Sequence, residues 1–240
     1  NSTPMIVIAG QVARRHRGRE AFQEVDQVGS FGRLAKWAAE LSDRNAVPAA
    51  LEELSRHLRT GRPGPVYLSV PEDLFDDTFP QSIEPPPFRP RSPDLDTAAV
   101  RRVLQQLAAA RRPVILAGAG VLRARATAAL VQLAEMLEVP AIASWRRPDV
   151  FPNEHPLYLG MAGYASPPTV RERLRAADFL LVLGSRLNEP TSYDYSIPAR
   201  GQAWAHVDLE PRINVPGLPG PRVSQTAAGP LERFTSRSSP

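Results

Sequence analysis

A short apolar run that ends in a glycine-rich turn constrains this chain more than any other feature. Residues 113–117 read Pro-Val-Ile-Leu-Ala, Gly118, Ala119 and Gly120 follow, and a helical pattern then runs to about Leu137. A strand, a tight glycine turn and the start of a helix form the arrangement that receives a phosphate group. The dinucleotide fingerprint also requires a third glycine, which is missing here, so an ordinary turn between a strand and a helix remains an open alternative.

Strand and helix patterns alternate along most of the chain. The continuous apolar runs are typical of strands buried on both faces of a parallel sheet, and helical patterns separate many of them. The predicted strands are 5–9, 65–70, 113–117, 139–143, 179–183 and 203–208, and the predicted helices have apolar faces within 47–58, 100–107, 130–137 and 170–174. The sequence therefore predicts an α/β fold of parallel, doubly wound sheets, with ligands at the carboxyl ends of the strands.

A proline-rich segment divides the chain. Prolines cluster in 80–93, which can form neither a helix nor a central strand and is typical of a stiff, extended linker. We therefore predict a partial N-terminal α/β domain over 1–79 and a Rossmann-like central domain over 94–211. Prolines, serines and arginines dominate 212–240, which predicts a disordered tail. A parallel-sheet strand at 5–9 needs neighbours on both sides, so we expect the first domain to be incomplete.

Composition excludes several classes of function. The chain has no cysteine, which excludes disulfides and thiolate chemistry, and the four histidines, His16, His57, His155 and His206, show no metal-ligand spacing. The formal net charge is +4, but the arginines are spread along the chain rather than clustered with aromatic residues, so nucleic-acid binding is not expected. No window is apolar enough for a membrane span and no signal segment opens the chain, so we expect a cytoplasmic protein.

Three stretches of the sequence resemble the acetolactate synthase branch of the thiamine-diphosphate enzymes. They are Gly10-Gln11-Val12 with Ala21-Phe22-Gln23-Glu24 and Lys36-Trp37; Gly61-Arg62-Pro63-Gly64-Pro65-Val66 running on to Val70-Pro71-Glu72-Asp73; and Gly118-Ala119-Gly120 with Phe151-Pro152, His155-Pro156-Leu157, Leu159-Gly160-Met161 and 178–186. The second stretch is the most specific. The resemblance covers nearly everything from residue 4 to residue 211.

The resemblance implies an enzyme with three α/β domains. In that family an N-terminal domain binds the pyrimidine ring of thiamine diphosphate, a central domain follows, and a C-terminal domain binds the diphosphate through Mg²⁺. The chain resembles the latter half of the first domain and nearly all of the second. The implied enzyme is a homo-oligomeric carboligase or decarboxylase acting on 2-oxo acids such as pyruvate. The family's activating glutamate and its Gly-Asp-Gly motif have no counterpart in the sequence, so we expect a fragment that is inactive by itself.

The resemblance also implies a set of site residues. Phe22 and Gln23 match positions that border the substrate channel and are the expected catalytic-site residues. The expected cofactor-binding residues, which match flavin contacts in FAD-binding members, are Arg62, Gly118, Ala119, Gly120, Gly163, Gly184, Ser185, Arg186, Asn188 and Asp208; no metal ligand is expected. Trp145 departs from the small, apolar residues usual in the flavin loop, so FAD binding stays an open expectation. Glu72 departs from the lysine that acetolactate synthases usually carry after Val-Pro, which favours the broader family over acetolactate synthase itself.

Other interpretations of the same residues remain open. Arg62 could face the C-terminal dipole of the preceding helix, and Asp208 could cap a helix or point to solvent, rather than contact a ligand. The whole chain could also be a non-catalytic α/β module that binds an adenine nucleotide or FAD at Gly118, Ala119 and Gly120.

Overall fold

The computed structural model describes residues 2–76 and 96–209, together with the backbone of 222–224. The chain divides into two compact units, Asn1–Arg91 and Ser92–Pro240. The predicted linker, 80–93, lies outside the described residues, as does all of the predicted disordered tail except 222–224. Within the described part of the chain, no helix is both long enough and apolar enough to cross a membrane.

The first unit is built on a three-stranded parallel sheet. Its strands are β1 (Met5–Gln11), β2 (Trp37–Glu40) and β3 (Pro65–Pro71), and β3 lies between the other two. Its helices are α1 (Gln27–Phe31) and α2 (Val47–Arg59), with 3-10 helices at Arg14–His16, Arg44–Ala46 and Glu72–Leu74. The sequence predicted β1, α2 and β3. It missed β2, whose four residues are all half-buried and show no alternation of apolar and polar side chains.

The core of the first unit lies between β3 and α2. Leu54 of α2 packs in one cluster with Val66 and Leu68 of β3. β1 differs from the prediction of a strand buried on both faces, because it is an edge strand on which Met5 is 52% and Ile8 is 61% exposed. β3 has neighbours on both sides, because it pairs with β1 on one side and β2 on the other.

The second unit is a six-stranded parallel sheet. Its strands are β4 (Pro113–Ala117), β5 (Ala141–Ala143), β6 (Tyr158–Met161), β7 (Phe179–Leu183), β8 (Ala203–Asp208) and β9 (Arg222–Ser224). They lie in the order β6-β5-β4-β7-β8-β9, which corresponds to the 3-2-1-4-5-6 order of Rossmann folds. The strand order reverses between β4 and β7, the point at which such sheets bind ligands. The predicted doubly wound α/β fold is confirmed.

Helices cover both faces of this sheet because neighbouring residues on a strand point in opposite directions. The helices of this unit are α3 (Thr97–Ala109), α4 (Ala119–Arg123), α5 (Thr127–Leu137), α6 (Pro168–Ala176) and α7 (Glu189–Ser192). Ile115 and Leu181 belong to the apolar cluster that includes residues of α3 and α5, whereas Leu116 and Val182 belong to the cluster that includes residues of α6. Asp96 caps α3, with its carboxylate accepting a hydrogen bond from the Ala99 N–H at 2.9 Å.

Two local predictions for the second unit are wrong, and one strand was not predicted. The single helix predicted from the glycine turn to Leu137 is broken after α4, where Arg125 adopts a left-handed conformation with a φ of 52°. The strand that was not predicted is β6, which lies at the edge of the sheet outside β5. Residues 222–224, inside the predicted disordered tail, form β9 and pair with β8 through backbone hydrogen bonds.

Candidate functional site

Loops from four strands meet at the carboxyl edge of the sheet in the second unit. Gly118 follows β4, Ser144 follows β5, Gly184 follows β7 and Asp208 ends β8. Because these strands are parallel, their carboxyl ends lie at one edge, where a doubly wound sheet binds its ligands. The fold therefore gathers the residues that the sequence singled out after separate strands.

The glycine turn after β4 packs against backbone. The Gly118 N–H donates to the Leu183 carbonyl and the Gly120 N–H donates to the Gly184 carbonyl, both at 2.9 Å. A Cβ atom on Gly120 would lie 2.5 Å from the Gly184 Cα. These glycines therefore allow the turns after β4 and β7 to touch, and their two N–H groups are already used within the protein. Because these two N–H groups already bond to carbonyls, the interpretation as an ordinary turn between a strand and a helix fits them better than the interpretation as a phosphate-binding turn.

A buried row of hydrogen bonds lies beside this turn. The Ser144 hydroxyl donates to Ser185 Oγ at 2.7 Å, and His206 Nε2 donates to the Ser185 carbonyl at 2.8 Å. Since a carbonyl only accepts, Nε2 of His206 carries a proton. The same nitrogen lies 3.7 Å from Asp208 Oδ2. The row ties the start of the loop that carries Arg186 to the ends of β5 and β8.

Three arginines and Asp208 bring charge to the same edge. The pKa of the Arg123 guanidinium is lowered, first by partial burial and then by the positive charges of Arg147 and Arg186, while Asp208 opposes the change. Repulsion between charges is felt only over short distances in salt solution, so Arg147 and Arg186 each lie near Arg123. Their combined charge suits an anionic ligand such as a diphosphate. Arg123 and Arg147 were not among the predicted site residues, although each follows a strand end by a few residues.

Trp145 covers the face of Gly163 that was expected to contact a flavin. A Cβ atom on Gly163 would lie 2.6 Å from Trp145 Cδ1. The Trp145 ring also packs edge-on against Tyr164, with ring centroids 5.5 Å apart, and the Arg146 guanidinium carbon lies 5.6 Å from the centre of the indole. Tyr164 in turn donates to Glu189 Oε1 at 2.6 Å. The indole is therefore held in place from several sides, and Gly163 fits a flavin contact poorly.

The other predicted site residues lie at the starts of two helices in the second unit and on loops of the first unit. Ala119 begins α4, and Asn188 is the residue that precedes α7. In the first unit, Phe22 is 88% exposed on a loop after β1, Gln23 adopts a φ of 63° beside it, and Arg62 lies in the turn between α2 and β3. Within the described part of the chain, no group of three or more histidine or acidic side chains is placed to hold a metal ion.

The second unit is a Rossmann-like α/β domain, in which arginines lie at the carboxyl edge of the parallel sheet. Residues 100–213 match the family model described as thiamine pyrophosphate enzyme, central domain. The chain belongs to this family of thiamine-diphosphate-dependent enzymes, and the resemblance found in its sequence is confirmed.

Similar proteins carry names from the same family. The chain is 35% identical over 218 residues to a sulfoacetaldehyde acetyltransferase of Rhodobacter capsulatus, with 88% of this chain and 36% of that protein aligned. It is 31% identical over 215 residues to an acetolactate synthase large subunit of Corynebacterium glutamicum, covering 88% of this chain and 34% of the relative. A probable acetolactate synthase large subunit of Methanocaldococcus jannaschii is 29% identical over 218 residues, with 88% and 37% aligned. The chain thus spans little more than a third of the length of these relatives.

Proposed function

We propose that the chain is part of a thiamine-diphosphate-dependent carboligase or decarboxylase that acts on 2-oxo acids such as pyruvate and uses Mg²⁺. The observation that carries the proposal is the match of 100–213 to the central domain of such enzymes, supported by relatives named acetolactate synthase. When bound, the cofactor would supply carbanion chemistry for the carbonyl group of a 2-oxo acid. In this proposal 1–79 is part of the pyrimidine-binding domain, 80–93 is the linker and 94–211 is the central domain of a cytoplasmic homo-oligomer.

The second unit is proposed to bind the diphosphate of FAD through its arginines. Arg147 and Arg186 each repel Arg123 in the free protein, so an anion placed beside Arg123 relieves this repulsion as well as accepting hydrogen bonds. Asp208 ends a neighbouring strand, a position that suits the hydroxyl groups of a ribose. Gly163 takes no part in this proposal because Trp145 covers it.

Titration of the chain with FAD, followed by flavin fluorescence, tests this site. We expect Arg186→Met to weaken binding by about tenfold or more, since a hydrogen bond to a charged group contributes about 1.5–3 kcal/mol. Arg102→Met is the matched control, because Arg102 is exposed on α3 and its replacement removes the same charge. Equal weakening by both variants, or no binding to the folded wild-type chain, would contradict the proposed site. Binding of ADP with the same loss in Arg186→Met would assign the site to the nucleotide part of the cofactor.

The alternative of a non-catalytic nucleotide-binding module is not favoured, because the relatives match 88% of the chain, across both units, and carry the names of enzymes.

Turnover of pyruvate by the full-length protein, supplied with thiamine diphosphate and Mg²⁺, tests the catalytic proposal. We expect Phe22→Ala and Gln23→Ala to lower kcat/KM, because these residues border the substrate channel in the proposal. If no 2-oxo acid were turned over, the catalytic proposal would be contradicted and the non-catalytic nucleotide-binding module would be the favoured interpretation.

A further inference from the structure

Three polar side chains meet at the carboxyl edge of the first unit's sheet, one from each strand. Glu40 ends β2, Ser69 lies opposite it on β3, and Gln11 ends β1. The Ser69 hydroxyl donates to Glu40 Oε2 at 3.0 Å, and the Gln11 amide donates to the same oxygen at 3.4 Å. Gln11 and Ser69 are buried, so the Glu40 carboxylate is anchored to the other two strands.

Arg17 connects this carboxylate to a second one. Its Nε and Nη2 atoms donate to the two oxygens of Glu40 at 3.1 and 3.3 Å, and its Nη1 atom donates to Glu24 Oε1 at 3.0 Å. The exposed fractions of the side chains are 31% for Arg17, 12% for Glu24 and 22% for Glu40, so water screens the three charges only in part. A planar guanidinium can satisfy both carboxylates because its five donors form a rigid fork.

Glu24 in turn closes the loop that carries Phe22 and Gln23. Its carboxylate accepts hydrogen bonds from the Gly18 N–H at 2.6 Å and from the Ala21 N–H at 3.2 Å. The Gly18 N–H is the main cause that lowers the pKa of the Glu24 carboxyl, so this group is charged at neutral pH. One carboxylate therefore holds the loop together, while Phe22 and Gln23 remain exposed on it.

We propose that Arg17 is a positioning residue, which holds the loop carrying Phe22 and Gln23 at the carboxyl edge of the sheet by bridging Glu24 to Glu40. The role of that loop in the substrate channel rests on the proposed function, but the bridge itself does not. The Glu24 carboxylate reaches the sheet through this one guanidinium, while a separate hydrogen bond from the Gln11 amide to the Val25 carbonyl, at 2.9 Å, holds the end of the loop. Loss of the guanidinium therefore loosens 18–24, while the bond at Val25 and the hydrogen bonds between strands remain.

The charges of Arg17, Glu24 and Glu40 predict which variants of the bridge lose most of the loop's protection from hydrogen exchange. Arg17→Met leaves two carboxylates without the cation between them, so their repulsion adds to the loss of the hydrogen bonds. Arg17→Met combined with Glu40→Gln restores the net charge of the wild-type trio, and we expect it to recover part of the loop's protection. If Arg17 acted only through the packing of its side chain, the second substitution would cause a further loss.

Hydrogen-exchange mass spectrometry on the full chain tests the bridge. We expect Arg17→Met to raise exchange at the amides of Gly18 and Ala21 by about tenfold or more, while exchange in β3 stays unchanged, because local opening leaves the core intact. Arg15→Met is the matched control, since Arg15 is an exposed neighbour on the same segment. Unchanged exchange in the loop, or an equal rise in Arg15→Met, would overturn the proposal.

Kinetics of the full-length protein separate this inference from the proposed function. We expect Arg17→Met to lower kcat/KM in the wild type and to have little further effect when Phe22 and Gln23 are both alanine, because Arg17 acts through them. A loosened loop with unchanged kcat/KM would establish the hold of Arg17 on the loop and overturn the assignment of Phe22 and Gln23 to the substrate channel.

Discussion

Replacement of Gly120 by alanine tests whether the glycine turn serves backbone packing. The new Cβ atom would lie 2.5 Å from the Gly184 Cα and 3.1 Å from the Gly184 carbonyl oxygen, and real Cβ atoms essentially never approach backbone atoms within 3.0 Å. Both contacts are to backbone, so no side chain can rotate away to relieve them. The turn after β4 must therefore move away from the turn after β7.

Three effects set the size of the change in stability. Overpacking costs about 1–3 kcal/mol, and movement of the turn weakens the Gly120 N–H bond to the Gly184 carbonyl, a loss of about 1 kcal/mol. Against these, alanine is better than glycine inside a helix by about 0.5–1 kcal/mol. We expect a net loss of roughly 2 kcal/mol in the free energy of unfolding of the second unit. For a unit of about 150 residues this lowers Tm by about 4–8 °C.

Urea unfolding followed by tryptophan fluorescence measures this change. Trp204 is 2% exposed in the second unit, and a Trp37→Phe background removes the tryptophan of the first unit, so that the signal reports the second unit. Gly10→Ala is the control, because a Cβ atom at Gly10 meets nothing within 4 Å. If Gly120→Ala were as stable as the wild type, the turn would be open, and the phosphate-binding alternative for its N–H groups would be restored.

Other predictions address the remaining features of the chain. Limited proteolysis should cut first within 80–93, and a first cut within 100–210 would contradict the division into domains. Hydrogen exchange should be faster in β1, an exposed edge strand, than in β4 and β7, and equal protection would show that β1 is covered. The pKa of the Asp73 carboxyl is lowered, chiefly by the Arg14 N–H and then by the Arg14 guanidinium. The stability that it contributes should therefore be present above the unfolded-state pKa and be lost as the pH falls through the lower folded-state pKa. Urea unfolding at a series of acidic pH values should show this loss in the wild type and not in Asp73→Asn, and parallel curves would refute it.

The fold class followed from local patterns. The apolar runs of β4 and β7 are long enough to identify strands, and the helical spacing of α2 and α3 separates them in the way that parallel sheets require. The short strands β2, β6 and β9 could not be predicted in this way. Each has only three or four residues. β2 and β9 pair with longer strands, and β6 pairs with β5, which itself has three residues, so each depends on backbone hydrogen bonds from a neighbouring strand.

The candidate sites also depend partly on residues that are neighbours along the chain and partly on residues that only the fold brings together. Local sequence patterns place Gly118 and Gly120 just after a strand and show that arginines and acidic residues follow several strands. What each of these residues contacts depends on the three-dimensional fold: the two glycines contact the turn at Gly184, and Arg17 lies between two carboxylates on different segments. The physical reason is that strand and helix patterns depend on neighbours along the chain, whereas packing, hydrogen bonds and repulsion between charges depend on distance in space.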